Sequence, residues 1–140
     1  MNVYIAAPWV HRDDAREAAK IIDAAGHIVT EAWWDHVDVG QKFDGSDETA
    51  ITDELARQAA LDIIGVMNAD VVVVLNLAKS EGKAVEQGIA LTLGVPIIGV
   101  GQMGSNVFQY LPQYTWVDDV IAALGVIDEL ESSSYSTDRS

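Results

Sequence analysis

Along the chain, apolar positions follow two rhythms. Short β-type runs occupy residues 3–7 (Val3-Tyr4-Ile5-Ala6-Ala7), 27–30, 69–75, 96–100 and 114–117. Between them the apolar positions recur at helical spacing. Residues 13–25 carry Ala15, Ala18, Ala19 and Ile22 on one stripe, with Asp13 placed as N-cap and Gly26 as the stop. Residues 48–68 predict a long helix, 83–93 a helix stopped by Gly94, and 118–124 a short one. Val71 to Val74 are four valines in a row, the signature of a strand covered on both faces and hence central in a parallel sheet. Residues 114–117 read as an edge strand. Strand and helix alternate, which predicts an α/β fold. The expected form is a flavodoxin-like or Rossmann-like parallel sheet of about five strands with helices on both faces. Ligands on such sheets bind beyond the carboxyl ends of the strands. The pattern breaks down over residues 31–47, which hold Trp33, Trp34, His36, Gly40 and Gly45; a stretch this long is expected to be functional or mobile. One domain is expected over residues 1–128, followed by an acidic, polar and disordered tail at 129–140.

Charge narrows the partners. The formal net charge is −14, and the four lysines and four arginines form no stripe. Such a field repels nucleic-acid backbones and anionic membranes, so no nucleic-acid polymer and no membrane is expected as partner. A small anionic ligand remains compatible, because a few local donors outweigh a distant field. There is no cysteine, which excludes a disulfide framework, a thiolate metal site and a cysteine nucleophile. The three histidines show no metal-ligand spacing, so no metal and no cofactor are expected. No basic segment followed by an apolar one opens the chain, and a cytoplasmic location is expected.

Candidate chemistry gathers after the central strand. Ser80-Glu81-Gly82-Lys83 forms a turn into a helix. The free N–H groups there can hold a phosphate, Gly82 admits close approach and Ser80 adds a hydroxyl, although an ordinary strand-to-helix turn reads the same way. Neither G-x-x-x-x-G-K-[ST] nor G-x-G-x-x-G is present. Glu86 shares a helical face with Ile89, Ala90 and Leu93. It is expected in the first turn, where the helix dipole favours a carboxylate ready to act as nucleophile; the alternative is a solvated glutamate. Asp62 shares a face with Leu55, Ala59 and Val66 and needs a partner or a role there. Two carboxylates on the helices flanking one strand can converge at its carboxyl end, and paired carboxylates are what glycosidic cleavage uses. Tyr4, on the first strand, could orient the nucleophile or belong to the core. Trp9, Trp33 and Trp34 could stack on a base or close the core. His11 and Arg12 could approach a phosphate.

Taken together, these residues resemble the nucleoside 2-deoxyribosyltransferase family, which includes the 2'-deoxynucleoside 5'-phosphate N-hydrolases. Three segments carry the likeness: Val3-Tyr4-Ile5-Ala6-Ala7-Pro8-Trp9; Asp62 with its spacing of eight to Asp70 ahead of the valine run; and Ser80-x-Gly82-x-x-x-Glu86-x-Gly88-x-Ala90 followed by Gly94-x-Pro96. The resemblance covers roughly residues 2–118. It implies an N-glycosidic cleavage enzyme with Glu86 as nucleophile and Tyr4 and Asp62 beside it. The substrate would lie on Ser80, Gly82, Ala7 and Trp9. Asn106-Val107-Phe108 is similar to the segment that a neighbouring subunit inserts into the family's site, which implies a homo-oligomer with shared sites. Ser80 stands where the transferases usually carry aspartate, and this favours the hydrolase branch acting on nucleoside 5'-monophosphates. Trp9 looks more like the transferases, so base exchange stays as an alternative. Two other classes are a silent nucleotide-sensing domain and an FMN carrier, the latter lacking a Ser/Thr/Gly-rich first loop.

Overall fold

The computed structural model describes residues 1–38, 48–104 and 106–138. Among these residues five parallel strands form one sheet: β1 (Asn2–Ala6), β2 (Ile28–Val29), β3 (Val71–Leu75), β4 (Ile97–Val100) and β5 (Tyr114–Val117). Their order is β2-β1-β3-β4-β5, so the order reverses between β1 and β3. Register is set by Tyr4 opposite Val72 and by Val73 opposite Ile98. The valine run lies in the middle as expected, with all five residues of β3 buried. Gly99 lies in β4 under the Trp116 ring, where a Cβ would come within 2.4 Å of the indole.

Among the described residues four α-helices pack on this sheet: α1 (Arg12–Ala24), α2 (Glu48–Met67), α3 (Glu81–Leu93) and α4 (Val120–Asp138). Contacts pair α1 with α4 and α2 with α3, as a doubly wound sheet requires. The α1 stripe of Ala15, Ala18, Ala19 and Ile22 is buried as expected. Asp13 is not its cap: the helix starts at Arg12, and Asp13 sits in the first turn as a favourable acidic residue.

Two helix ends depart further from expectation. α3 begins at Glu81 because Ser80 is its N-cap, accepting the Lys83 N–H at 3.3 Å. The short helix expected over 118–124 runs on to Asp138, so the described part of the expected disordered tail is helical. The reason is packing: Ala123 and Ile127 are buried and Leu124 and Leu130 lie against the core, which continues the apolar stripe past Gly125. Of the long segment 31–47, residues 33–35 form a 3₁₀ turn; residues 39–47, with Gly40 and Gly45, lie outside the described residues. No helix among the described residues is long and apolar enough to cross a membrane.

Candidate active site

Residue alternation along β1 decides which side chains reach the site. Tyr4 points to the α2–α3 side and is fully buried there. Its hydroxyl donates a hydrogen bond to Oε2 of Glu86 on α3. α2 comes unusually close to this strand. A Cβ on Gly65 would lie 2.8 Å from Glu31 Cβ and 3.0 Å from the Tyr4 ring, and the Thr30 hydroxyl donates to the Gly65 carbonyl at 2.7 Å. That approach sets Asp62, one turn earlier on α2, where its charge acts on both Tyr4 and Glu86. Tyr4, Asp62 and Glu86, distant in sequence, thus meet beside the point where the strand order reverses.

The electrostatics differ from the ionised nucleophile expected. Burial pushes the Glu86 carboxyl up to about 8; the Tyr4 hydrogen bond works downward, and the Asp62 charge adds to the rise. Glu86 also lies in the second turn of α3, since that helix starts at Glu81, and so gains less from the helix dipole than a first-turn residue. Burial likewise raises Asp62 to about 6, with His36 opposing and Glu31 assisting. Asp62 Oδ1 is buried with no hydrogen-bond partner among the described residues. The Tyr4 phenol is raised far above its usual range, first by burial and then by Glu86, Asp62 and Glu31, so it acts as a fixed donor.

The predicted faces are partly displaced. Leu55 and Ala59 are exposed, and α2 instead turns Glu54, Gln58, Leu61 and Asp62 inward. On α3 the buried residues are Lys83, Gln87 and Ala90; Leu93 is exposed and Glu86 lies at the edge of that face. On α3 the shift brings Lys83 to Asn76 and the Ala78 carbonyl, and Gln87 to Gln109 and Tyr114.

The remaining predicted residues divide. Ala7 is buried at the end of β1. Trp9 begins a 3₁₀ turn, 36% exposed, 6.2 Å from the Trp33 ring and under the Arg12 guanidinium. Trp33 and Trp34 close the core rather than offer a stacking face, and Trp33 Nε1 donates to the Ile5 carbonyl at 2.6 Å. His11 is engaged by Asp14 at 3.0 Å. Ser80 and Gly82 stand at the open start of α3, and Ser80 lines a cavity together with Lys79, Glu81, Lys83 and Asn106, whereas Gly82 does not line it. Asn106 Oδ1 accepts the Phe108 N–H at 2.9 Å, and Phe108 is 60% exposed. Both line an apolar groove with Ala84 and Gln87, whose lining contains none of Tyr4, Asp62 and Glu86.

Sequence reasoning missed a polar layer beneath the turn. Lys83 is buried and donates to Asn76 Oδ1 at 2.6 Å and to the Ala78 carbonyl at 2.7 Å, which ties the β3–α3 loop down. Gln87 and Gln109 are buried beside it, joined at 3.3 Å, and Tyr114 donates to Gln87 at 2.7 Å. The polar positions 83 and 87 at a spacing of four were the available signal. Glu31 and His36 were also unassigned; His36 Nε2 lies 2.9 Å from Glu31 Oε1. His27, Asp128 and Glu131 form a second close group, in which the amino terminus reaches His27 Nδ1 at 3.1 Å. In both groups the imidazole is already engaged, by Glu31 in the first and by the amino terminus in the second.

No family model and no curated protein matches the sequence. Solved structures do match. A CMP N-glycosidase from Clostridium botulinum, BcmB, superposes with a TM-score of 0.56 at 14% identity, over 91% of this chain and 99% of that one. A 2-deoxyribosyltransferase from Bacillus psychrosaccharolyticus superposes with a TM-score of 0.56 at 18% identity, over 88% of this chain and 90% of that one. At these identities the likeness is one of architecture: the chain has the α/β fold of an N-glycosidase and a deoxyribosyltransferase, nearly end to end.

Proposed function

We propose that this chain is a nucleoside 2-deoxyribosyltransferase-like N-glycosidase that cleaves the base–sugar bond of a (2'-deoxy)nucleoside 5'-monophosphate through a covalent Glu86 intermediate. The observation that carries the reading is the Tyr4–Glu86 hydrogen bond, with Asp62 close enough to act on both. The fold shared with an N-glycosidase and a deoxyribosyltransferase supports it.

The 5'-phosphate rests on Ser80 and the free N–H groups near Gly82, with Ala7 and Trp9 flanking the substrate. Tyr4 holds one oxygen of Glu86, and the other attacks C1' from the face opposite the base. The C1'–N bond breaks as the C1'–O bond forms, and Asp62 gives its proton to the departing base. Water then attacks C1', its proton returns to Asp62, and Glu86 leaves as a carboxylate. Deoxy substrates suit this chemistry, because no 2'-hydroxyl withdraws electrons from the cationic sugar. The productive form needs Glu86 ionised and Asp62 protonated. With the carboxyls raised to about 8 and about 6, the kcat/KM profile is a bell whose limbs lie near those values and belong to the pair.

Asn106 and Phe108 would complete a neighbouring copy's site in a homo-oligomer. The exposed Leu55, Ile63, Ile64 and Met67 on α2, and Val107 and Phe108, supply apolar surface for such an assembly. Base exchange is the alternative for the same site, favoured by the partly exposed Trp9.

The test is base release from deoxynucleosides and their 5'-monophosphates, with Glu86→Ala alongside and a second base added in parallel. Release from monophosphates alone is expected, falling by about 10³-fold or more in Glu86→Ala with binding retained. A new nucleoside in the presence of the second base would establish exchange instead. Full turnover by Glu86→Ala would end the covalent mechanism, and ligand binding without release from any substrate would favour a sensing domain.

A further inference from the structure

Asp62 is the proton donor in the reading above, and this inference rests on that reading. What surrounds Asp62 is not explained by the reaction alone. The loop after β2 delivers Glu31 and His36 to the same corner. It is pinned to α2 by Thr30 on the Gly65 carbonyl at 2.7 Å and by Gln58 on the Val37 carbonyl at 2.9 Å. His36 is nine-tenths buried, and its Nε2 lies 2.9 Å from Glu31 Oε1. One donor atom each of Glu31, His36 and Asp62 lies within 4.8 Å of the other two. Asp62 Oδ1, meanwhile, is buried without a hydrogen-bond partner among the described residues.

We propose that Glu31 and His36 are a matched pair of positioning residues that governs how Asp62 holds its proton: the Glu31 carboxylate keeps the proton on Asp62 until the base departs, and the His36 ring fixes Glu31 and limits its hold. The two act on Asp62 in opposite senses, Glu31 raising and His36 lowering it. Tyr4 from β1 and Glu86 from α3 face the same corner, and Glu54 and Arg57 on α2 lie within the electrostatic reach of His36 and Glu31 respectively. None of these supplies Asp62 Oδ1 with a hydrogen bond. A carboxyl with one buried, unpartnered oxygen beside an anion favours its neutral form, which is the form that can donate. Once the proton has gone to the base, the His36 ring stays against Glu31 Oε1 at 2.9 Å and keeps that carboxylate in place beside the new Asp62 carboxylate.

The test compares the intact protein with Glu31→Gln and His36→Gln on two substrates: a purine deoxynucleoside 5'-monophosphate and its N7-methyl analogue. The methylated base is already cationic and leaves as a neutral molecule without being protonated. On the ordinary substrate Glu31→Gln should lose about tenfold in kcat/KM, a fraction of what general-acid catalysis supplies. Its acid limb should move to lower pH, and that of His36→Gln to higher pH. On the methylated substrate both variants should stay within about twofold of the parent, since the proton step is bypassed. Equal losses on both substrates, or limbs that move together, would overturn the pairing and leave a structural role only. If the parent releases base from neither substrate, the glycosidase reading fails, and the pairing is then decided by infrared titration. With ¹³C-labelled aspartate and Asp62→Asn to identify the band, the Asp62 carboxyl should titrate lower in Glu31→Gln and higher in His36→Gln; an unmoved titration overturns the proposal.

Discussion

Tyr4 spends its only donor on Glu86, and the direction of that bond matters more than its strength. A phenol donating to a carboxylate favours the ionised form, so it works against the burial that raises Glu86 to about 8. Tyr4→Phe removes the donor and keeps the ring. Turnover should fall roughly 10- to 100-fold, the worth of a hydrogen bond to a charged group. The alkaline limb of the pH profile should move further up, which steady-state assays from pH 5 to pH 9.5 would read. The sequence singled out both residues, Glu86 as a polar break in an expected apolar face and Tyr4 through its strand and the resemblance; the structure joins them by a hydrogen bond, although the buried face of α3 is not the one expected. The sign of the environment was not legible. Periodicity places a carboxylate on a face, but whether that face meets water, a dipole or a closed pocket depends on elements far away in the chain. Glu31 and His36 were illegible for the same reason: their relevance comes from α2 crossing the loop after β2.

Among the elements, α2 turns polar side chains inward at some cost to its own packing. Its apolar residues Leu55, Ile63, Ile64 and Met67 face outward, while Glu54, Gln58 and Asp62 face in. Gly65 makes this arrangement possible by letting the helix lie against Tyr4 and Glu31. Gly65→Ala would place a methyl 2.8 Å from Glu31 Cβ and 3.0 Å from the Tyr4 ring. Overpacking of this kind costs about 1–3 kcal/mol, partly offset by the better helix propensity of alanine. A lower urea midpoint together with reduced turnover is expected; unchanged values of both would show that α2 can shift without disturbing the site. The element list itself was readable, since β3, β5 and the α1 stripe follow from local pattern. Helix ends were less so. Ser80 as a cap moved α3 back to Glu81, and the stripe through Ile127 and Leu130 carried α4 through a stretch whose composition reads as a tail.

At the level of the whole molecule, two raised carboxyls make stability depend on pH in a definite sense. The folded state holds protons on Glu86 and Asp62 more tightly than the unfolded chain does. Their stabilising contribution is fully present below the unfolded carboxylate range and is lost as pH rises through about 6 and about 8. The net charge of −14 adds self-repulsion in the same direction. Thermal unfolding should therefore show a lower Tm at pH 8.5 than at pH 5.5. Glu86→Gln and Asp62→Asn should each flatten that slope and raise Tm at the alkaline end, where ionising these buried groups costs the fold most. A Tm that climbs steadily to pH 8.5 would contradict the burial assigned to both groups.

The buried Lys83 has a consequence of its own. Two oxygens from the β3–α3 loop close around its ammonium as a chelator closes around a metal, except that here the cation is tethered to the chain. The turn that holds Ser80 and Gly82 thus carries an internal ion that dilution cannot wash out and a sequestering agent cannot strip. Its shape is fixed by the same chain that fixes the helix.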